Sequence, residues 1–413
     1  MKTATYLSVW ALTGLLACTS AETAKNRTME TLLKQYSSNS LQLQDLLGKE
    51  YRLLSYKISN GKILAQVRRT ENLAAGSPMS ELRIIDIGQG KVIFSGSNPT
   101  IDYTGLDFDF VNDSTIAISN ALQPADVYYT NIRSGATEKK QIRFDKTGNR
   151  PGILEANGNQ LFMVRNVYGF AVVDVSASTG KVYSNPAFNT LQSTVSYPID
   201  ASLNLLSGTE STDSASGKKR IILYAIRNDG TQAWEKALPP ETYEDGYAGA
   251  FNLFNAGDRF IVKHDRMVES WHRADGSVAW QFVNEQPIVA VYNAGDRLVI
   301  YSSAGPAEIP SDDKQRNGEL KSRGVEQFKI LDLKTGKVTW KKESRGTRTE
   351  LGILKGKLLL AGDKGVEVVD LEKGQTLETT PGALAGKEDA EMKPHMDTKT
   401  GKLYLVYHTS VYW

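Results

Sequence analysis

The sequence predicts an all-β fold, an eight-bladed β-propeller with four-stranded antiparallel blades, on the basis of three observations. Short apolar runs broken by Gly, Asn and Asp fill the chain from residue 41 onward, a pattern typical of strands and turns. A strand–turn–strand segment recurs at the spacing of propeller blades. The corner Phe254–Val262 is nearly repeated as Tyr292–Ile300, which indicates internal duplication.

The repeated segment is clearest at Leu331–Trp340, which reads as a strand, a two-residue Thr335-Gly336 turn and a second strand ending on Trp340. Glycine suits such a turn because it adopts positive φ. The turn glycines of the seven copies are Gly90, Gly135, Gly180, Gly230, Gly276, Gly336 and Gly374, which lie 45, 45, 50, 46, 60 and 38 residues apart. Each copy corresponds to one four-stranded unit.

Residues 392–413 supply three further strands without the repeated segment. We expect Leu41–Leu47 to provide the fourth strand, so that the N- and C-terminal strands close one blade and no sheet edge stays open there. Seven blades are the alternative, because the copy around Gly135 is degenerate. Long connectors all belong to the same side of each unit, so that one face carries most of the loops, and loops on a rigid scaffold commonly carry binding.

The N-terminal residues predict export. Residues 1–17 have a short basic start and an apolar core, as a signal peptide does, and Leu15-Leu16-Ala17-Cys18 resembles the bacterial lipobox, which implies lipidation of Cys18. An ordinary signal peptide cleaved after Ala21 is the alternative. Residues 18–40 are predicted as a flexible tether with one helical stretch near Met29–Tyr36, and residues 41–413 as a single propeller domain. Thr19 after the cysteine indicates an outer-membrane lipoprotein facing the periplasm, with surface exposure as the alternative.

The composition is typical of an ordinary globular protein. The formal net charge of +2 and the 40% hydrophobic content are those of a globular protein and do not favour a nucleic-acid partner. Cys18 is the one cysteine of the chain, so the domain is predicted to fold without disulfides.

The pattern of Asp332, Thr335, Gly336 and Trp340 resembles the tryptophan-docking motif of the pyrroloquinoline-quinone-like (quinoprotein-type) propeller superfamily. The resemblance implies that the aromatic residue of each blade packs on the neighbouring blade. The residues that match this structural blade-docking position and its turn are Trp234, Trp280, Trp340, Gly230, Gly276 and Gly336, with Phe94, Tyr183 and Leu377 as substitutes. The superfamily contains both enzymes and binding scaffolds, so the fold alone does not decide function.

The sequence predicts no catalytic residue, metal or cofactor. The family's dehydrogenases imply a catalytic Asp, a bound Ca²⁺ and a vicinal cysteine pair, and the chain has no such pair. Asp107, Asp109 and Asp113 carry carboxylates that a cation site could use, but the alternation of the first two with apolar residues favours a polar strand face ending in a turn. The histidines, at positions 264, 272, 395 and 408, lack metal-ligand spacing, and the charged run Asp312–Arg316 reads as a solvated loop.

We therefore expect a non-catalytic, lipid-anchored scaffold that binds protein partners in the bacterial cell envelope, on its loops or by strand addition to a sheet edge. Its architecture resembles that of propeller lipoproteins in the machinery that assembles outer-membrane β-barrels, and a monomer within a complex is expected. The alternatives are an exported quinoprotein oxidoreductase, or a propeller that binds a small molecule or glycan at its central opening.

Overall fold

The computed structural model describes most of the chain from residue 29 onward. The described residues are 29–70, 80–96, 107–120, 123–144, 151–157, 160–165, 169–174, 179–183, 194–198, 203–213, 218–227, 229, 231–238, 241–242, 252–256, 258–264, 266–303, 325–345, 350–362, 365–380, 392–397 and 400–413. They form 34 strands and two short helices, α1 (Met29–Tyr36) and α2 (Leu43–Leu47). The predicted all-β class is confirmed.

The chain divides into two compact units. The first unit contains the residues up to Leu43, Asn284–Met396 and Leu403–Trp413, and the second contains Gln44–Val283 with Asp397–Lys402. In both units each sheet is built largely from strands that follow one another in sequence, because short turns let consecutive antiparallel strands pair directly.

The second unit contains five sheets in the described residues, and three of them are four-stranded antiparallel sheets. The strands of these three sheets are β2 (Tyr51–Ser59), β3 (Lys62–Arg69), β4 (Glu81–Asp86) and β5 (Lys91–Gly96); β6 (Asp107–Asn112), β7 (Thr115–Asn120), β8 (Gln123–Asn131) and β9 (Thr137–Gln141); and β20 (Asn252–Ala256), β21 (Arg259–His264), β22 (Met267–His272) and β23 (Val278–Val283). Four antiparallel strands per repeat agree with the sequence prediction.

Two sheets of the second unit have a fifth strand. Their strands are β10 (Arg143–Phe144), β11 (Pro151–Asn157), β12 (Gln160–Arg165), β13 (Gly169–Asp174) and β14 (Thr179–Tyr183); and β15 (Thr194–Pro198), β16 (Leu203–Asp213), β17 (Lys218–Arg227), β18 (Gln232–Ala237) and β19 (Glu241–Thr242). The extra strand β10 pairs in parallel with β14, and β19 pairs with β17 beside β18. The sequence pattern did not predict either addition.

The first unit contains three four-stranded sheets in the described residues. Their strands are β24 (Ile288–Asn293), β25 (Arg297–Ser303), β26 (Val325–Asp332) and β27 (Val338–Arg345); β28 (Glu350–Leu354), β29 (Lys357–Gly362), β30 (Gly365–Asp370) and β31 (Gln375–Thr380); and β1 (Ser40–Gln42), β32 (Met392–Met396), β33 (Leu403–Tyr407) and β34 (Ser410–Tyr412). The fully buried side chains of Val299, Phe328 and Leu358 lie in one of its core clusters.

The last sheet takes its fourth strand from the N-terminal side of the chain, because β1 pairs antiparallel with β34 through Leu41 and Val411. The predicted strand Leu41–Leu47 is nevertheless too long. Leu43–Leu47 is helix α2 instead, and Leu43 and Leu47, one helical turn apart, are both buried. A helix places residues four positions apart on one face, which explains why the helical conformation buries both leucines.

The flexible tether predicted over residues 18–40 is wrong for its last part. Helix α1 lies where a helical stretch was expected, but Met29, Leu32 and Leu33 are at most 2% exposed and pack into a core cluster with Leu354 and Tyr407. The hydroxyl of Tyr36 also donates to Glu378 at 2.7 Å. Residues 29–40 are therefore part of the first unit.

The turns of the repeated segment are longer than the two-residue turn predicted. Between Asp332 and Val338 the amide of Gly336 donates to the carbonyl of Asp332 at 2.8 Å, and Gly336 has φ of +68°. The carboxylate of Asp332 accepts both the amide and the hydroxyl of Thr335, which stabilises this longer turn. The third copy differs from the prediction, because Gly180 lies within β14, paired with Val173.

Candidate partner-binding edge

Strand β23 lies at one edge of its sheet, and a tight turn fixes where it begins. The amide of Gly276 donates to the carbonyl of His272 at 2.9 Å, and the amide of His272 donates to the carbonyl of Ser277 at 2.8 Å. Hydrogen bonds from the backbone and side chain of Ser277 lower the pKa of Asp275, so this carboxylate is ionised and holds the turn. Gly276 has φ of +69°, a conformation that glycine adopts at no steric cost.

Three aromatic rings support the sheet that carries β23. The rings of Trp234 and Phe260 are stacked at 5.9 Å, and Trp271 meets both edge-on at 6.5 and 5.6 Å. Phe260 and Trp271 are fully buried. Aromatic pairs in these geometries stabilise a core beyond the area they bury, so this aromatic cluster stabilises the sheet that carries β23.

Lys236 contacts both this aromatic cluster and the turn before β23. Its ammonium lies 3.8 Å from the centre of the Trp271 ring and donates to the carbonyl of Gly276 at 3.2 Å. Burial lowers the pKa of Lys236, while the charges of Glu269 and Asp275 act in the opposite direction. The lysine therefore contributes a cation–π contact and ties β18 to the turn before β23.

The edge itself exposes apolar side chains. Val278 and Val283, at the two ends of β23, are 43% and 65% exposed, and Gln281 between them is also exposed. The strand reads Val-Ala-Trp-Gln-Phe-Val and has no charged residue, whereas β5, β9, β14, β18, β27 and β31 each have at least one. Charged side chains, lysine above all, are the usual protection of an open strand edge against pairing, and β23 lacks them.

Strand β27 is a charged counterpart of β23 with the same local register. In both strands a register shift lies just before the Trp, which places Val278 opposite Trp271 and Val338 opposite Leu331. Val338 is 42% exposed, much like Val278. The positions of Gln281, Phe282 and Val283 are occupied in β27 by a run of charges, namely Lys341, Lys342 and Glu343. The difference between the two edges is therefore one of charge.

The chain itself adds a strand to the edge of another sheet. Residues Arg143–Phe144 form β10, which pairs in parallel with Thr179–Gly180 of β14, so that β10 becomes the end strand of that sheet. An outer edge of this architecture therefore has a geometry that accepts an extended segment. Strand addition to an exposed edge uses main-chain hydrogen bonds for affinity and alternate side chains for specificity.

The residues predicted for blade docking lie at equivalent places in their sheets. Trp234, Trp280 and Trp340 are half-buried residues of β18, β23 and β27, and Gly276 and Gly336 lie in turns with positive φ. Phe94 is half-buried in β5, and Leu377 is 47% exposed. Cys18 and Gly230 lie outside the described residues.

The acidic residues considered as a cation site serve structural bonds. Asp109 is 2% exposed and accepts hydrogen bonds from the hydroxyl of Ser59 at 3.2 Å and from the amide of Phe110 at 2.8 Å. Asp113 accepts from the side-chain amide of Asn60 at 2.9 Å. The side chain of Asp107 lies outside the described part. The polar strand face predicted here is wrong for Asp109, whose carboxylate is buried because these donors satisfy it.

The histidines are dispersed on three different strands and one turn. His272 is exposed at the end of β22, His408 lies in a turn with φ of +53°, and burial lowers the pKa of His395. The side chain of His264 is not among those described. Within the described ranges, no group of three His, Cys, Asp or Glu side chains is placed to hold a metal ion. The run Asp312–Arg316 and the longest connectors fall outside these ranges.

The uncharged edge of β23 was not identified from the sequence, although the signal is present there. Aligning the last strands of the repeats shows that Val278–Val283 is free of charge while its counterparts are not. What the sequence does not contain is the exposure of Val283, since an apolar residue at a strand end is equally compatible with burial.

Comparisons with known proteins found structural similarity only. No family model matches the chain, and no curated protein matches it. Among solved structures it is similar to BamB from Moraxella catarrhalis, with 12% identity, a TM-score of 0.48 and coverage of 91% of this chain and 98% of that one. The computationally designed Ika8 protein gives 11% identity, a TM-score of 0.45 and coverage of 89% and 99%. Kluyveromyces lactis Hsv2 gives 9% identity, a TM-score of 0.40 and coverage of 90% of this chain and 99% of that one.

Of the helices that the structure describes, neither has the length and apolar character needed to span a membrane.

Proposed function

We propose that this protein is a non-catalytic β-propeller scaffold that is lipid-anchored through Cys18 in the bacterial cell envelope and captures an extended segment of a protein partner on the edge of β23. In this proposal the eight described sheets are the blades of one propeller, and the aromatic residues at the Trp340 position dock neighbouring blades. The anchor places the protein at the outer membrane, facing the periplasm.

The propeller part of the proposal draws support from the order of the sheets. Each sheet consists mainly of consecutive strands, and the turns recur about every 38–60 residues, as in blades that stack around an axis. The pairing of β1 with β34 gives the last blade its fourth strand. The anchor draws its support from the sequence around Cys18, which resembles a lipobox.

The observation that carries the binding proposal is the edge of β23, with Val278 and Val283 exposed and no charge along its six residues. Large exposed apolar side chains on an unprotected edge favour pairing with another strand. The partner segment is therefore extended and bears apolar residues that can cover both valines. A lysine-rich segment would leave its charges against an apolar edge and is disfavoured.

A chimeric edge tests this proposal. The double variant Gln281→Lys with Val283→Glu installs on β23 the charges that β27 has at the equivalent positions. We expect at least a tenfold loss of the partner recovered from envelope extracts by crosslinking, because the charges oppose strand pairing. The matched control is Val338→Lys, which adds a charge to an equally exposed valine on β27 and is expected to leave recovery unchanged.

Three outcomes would contradict the proposal. Equal partner recovery from the chimera and the wild type would remove β23 as the binding edge. A crosslink from position 283 that joins two copies of this chain would make the edge a self-association surface. Quinone-dependent oxidation of an alcohol by the purified protein with Ca²⁺ would overturn the non-catalytic role. The anchor is tested separately, because Cys18→Ala should release the protein from the membrane fraction.

A further inference from the structure

The turn between β2 and β3 contains an Asn-Gly pair in an unusual setting. Asn60 has φ of +53° and Gly61 has φ of +67°, and both residues are only partly exposed. Both backbone amides are bound by one carboxylate, since the amide of Asn60 donates to Oδ1 of Asp397 at 3.1 Å and that of Gly61 donates to Oδ2 at 2.7 Å. The turn and Asp397 belong to the same unit.

The clamping carboxylate is itself held firmly. Asp397 is fully buried, its amide donates to the carbonyl of Lys402, and its carbonyl accepts the amide of Gly401 at 2.7 Å. The side-chain amide of Asn60 is also fixed, because Nδ2 donates to Oδ1 of Asp113 at 2.9 Å. Hydrogen bonds to a carboxylate are strong, so both reacting ends of the Asn-Gly pair are restrained.

Asn-Gly pairs have an intrinsic chemistry that this arrangement opposes. The nitrogen of Gly61, after losing its proton, can attack Cγ of Asn60; a new N–Cγ bond forms, the Cγ–Nδ2 bond breaks, and ammonia leaves with that proton. Solvent water then opens the five-membered imide to aspartate or isoaspartate. The attack requires an amide anion at Gly61, and a carboxylate 2.7 Å away disfavours negative charge there.

We propose that Asn60 is a latent deamidation site, and that Asp397 protects it by binding the Gly61 amide. Deamidation would place a new carboxylate beside those of Asp397 and Asp113. Like charges at this distance repel, so the product would open the contact between the two turns. Deamidation at Asn60 would therefore cause a local loss of structure.

The test measures deamidation at each Asn-Gly pair of the full chain by peptide mass spectrometry after incubation at mildly alkaline pH. The sequence offers two internal references, Asn157-Gly158 and Asn317-Gly318. In the folded wild type, Asn60 should deamidate at least tenfold more slowly than in the urea-unfolded protein. Asp397→Ala should remove most of that protection, while the rates at the two reference pairs stay unchanged.

Two variants keep the test decisive if Asp397→Ala proves unstable. Asp397→Asn keeps the shape without the charge and should give intermediate protection. Asp332→Ala removes the aspartate of an equivalent turn, whose carboxylate binds Thr335 and Arg297, and should leave the rate at Asn60 unchanged. Equal rates at Asn60 in wild type and Asp397→Ala, or a slower rate in the variant, would overturn the proposal. Asn60→Asp should lower the melting temperature, and an unchanged value would remove the structural consequence.

Discussion

The indole ring of Trp234 lies directly over Gly276, a residue of the next sheet along the chain. A Cβ at position 276 would come within 3.0 Å of Cε3 of this ring, and the indole N–H donates to the carbonyl of Arg273 at 3.3 Å. The ring therefore contacts the turn in two ways. Its N–H binds a backbone carbonyl, and its face fills the space that a side chain at position 276 would need. Gly276 is therefore required both for its positive φ and because the ring of Trp234 leaves no room for a Cβ.

Replacing Gly276 with alanine should destabilise the protein for both reasons. The positive φ costs an L-residue about 1–2 kcal/mol, and the crowding against Trp234 adds roughly 1–3 kcal/mol. Gly135→Ala is the matched control, because Gly135 has φ of +73° in an equivalent turn with nothing within 4 Å of its added Cβ. Urea unfolding of both variants gives the difference. Equal losses would show that the contact with Trp234 contributes nothing.

Trp340→Ala should lower the free energy of unfolding by about 3 kcal/mol, the lower end of the range for buried aromatic residues, because Trp340 is half-buried against a core cluster of the first unit. Thermal unfolding measures the loss. Val338→Ala on the same strand, at a 42% exposed position, should change stability by less than about 0.5 kcal/mol. An unchanged melting temperature for Trp340→Ala would exclude a docking role.

Leu32→Ala in helix α1 should cost roughly 2–5 kcal/mol, as for other fully buried leucines, since Leu32 is 0% exposed in the core cluster of the first unit. Lys34→Ala, an exposed change in the same helix, serves as the control. Differential scanning calorimetry distinguishes the two. If both variants melt like the wild type, residues 29–36 behave as a tether after all.

We expect ionisation of Tyr129 to lower the stability of the protein at alkaline pH. Burial, with the charges of Asp174 and Glu138, raises its pKa. Its contribution is complete below the pKa of an unfolded tyrosine, near 10, and is lost as pH rises above it, at most ~1.4 kcal/mol per pH unit. The Tyr129→Phe variant should therefore lose less free energy of unfolding than the wild type between about pH 9 and 11, roughly one pH unit on either side of that pKa. Urea unfolding at the two pH values measures this loss. An identical drop would assign the alkaline loss to other groups.

For the turn at Asp332 we expect the opposite pH dependence, with stability lost at acidic pH. The hydroxyl of Thr335 lowers the pKa of Asp332, aided by the Thr335 amide and the charge of Arg297, while burial opposes them. The associated stability is present above the unfolded pKa, near 3.9, and is lost as pH falls through the lower folded pKa. Thr335→Val should raise the pKa of Asp332 in a carboxyl NMR titration, whereas Thr335→Ser should keep it. An unshifted pKa in the valine variant would contradict the assignment.

The strands and their antiparallel order could be predicted from the sequence because alternation and glycine turns are local signals. The length of the turns could not, because it depends on carboxylates such as Asp332 that fold back on their own turn. Strand β10 has two residues, and its pairing with β14 depends on distant chain, so no local pattern reveals it. The helix at Leu43–Leu47 replaced a predicted strand because burial, rather than propensity, decides short segments.

The candidate site shows the same limit. The absence of charge in Val278–Val283 can be read from the sequence, but its importance depends on β23 being an edge strand of its sheet. Likewise, the protection of Asn60 comes from Asp397, 337 residues away in sequence, and such a pair carries no local signature.

The pairing of β1 with β34 dictates an order of events during synthesis. Residues 44–283 contain nearly the whole second unit and can pack as soon as they emerge, since most of their pairings are between successive strands. Leu41 must wait for Val411, so α1 and β1 stay without their buried partners until residues 403–413 have been synthesised. Over that interval Met29, Leu32 and Leu33 are exposed to any chaperone that recognises apolar helices, and the time of vulnerability is set by the length of the polypeptide.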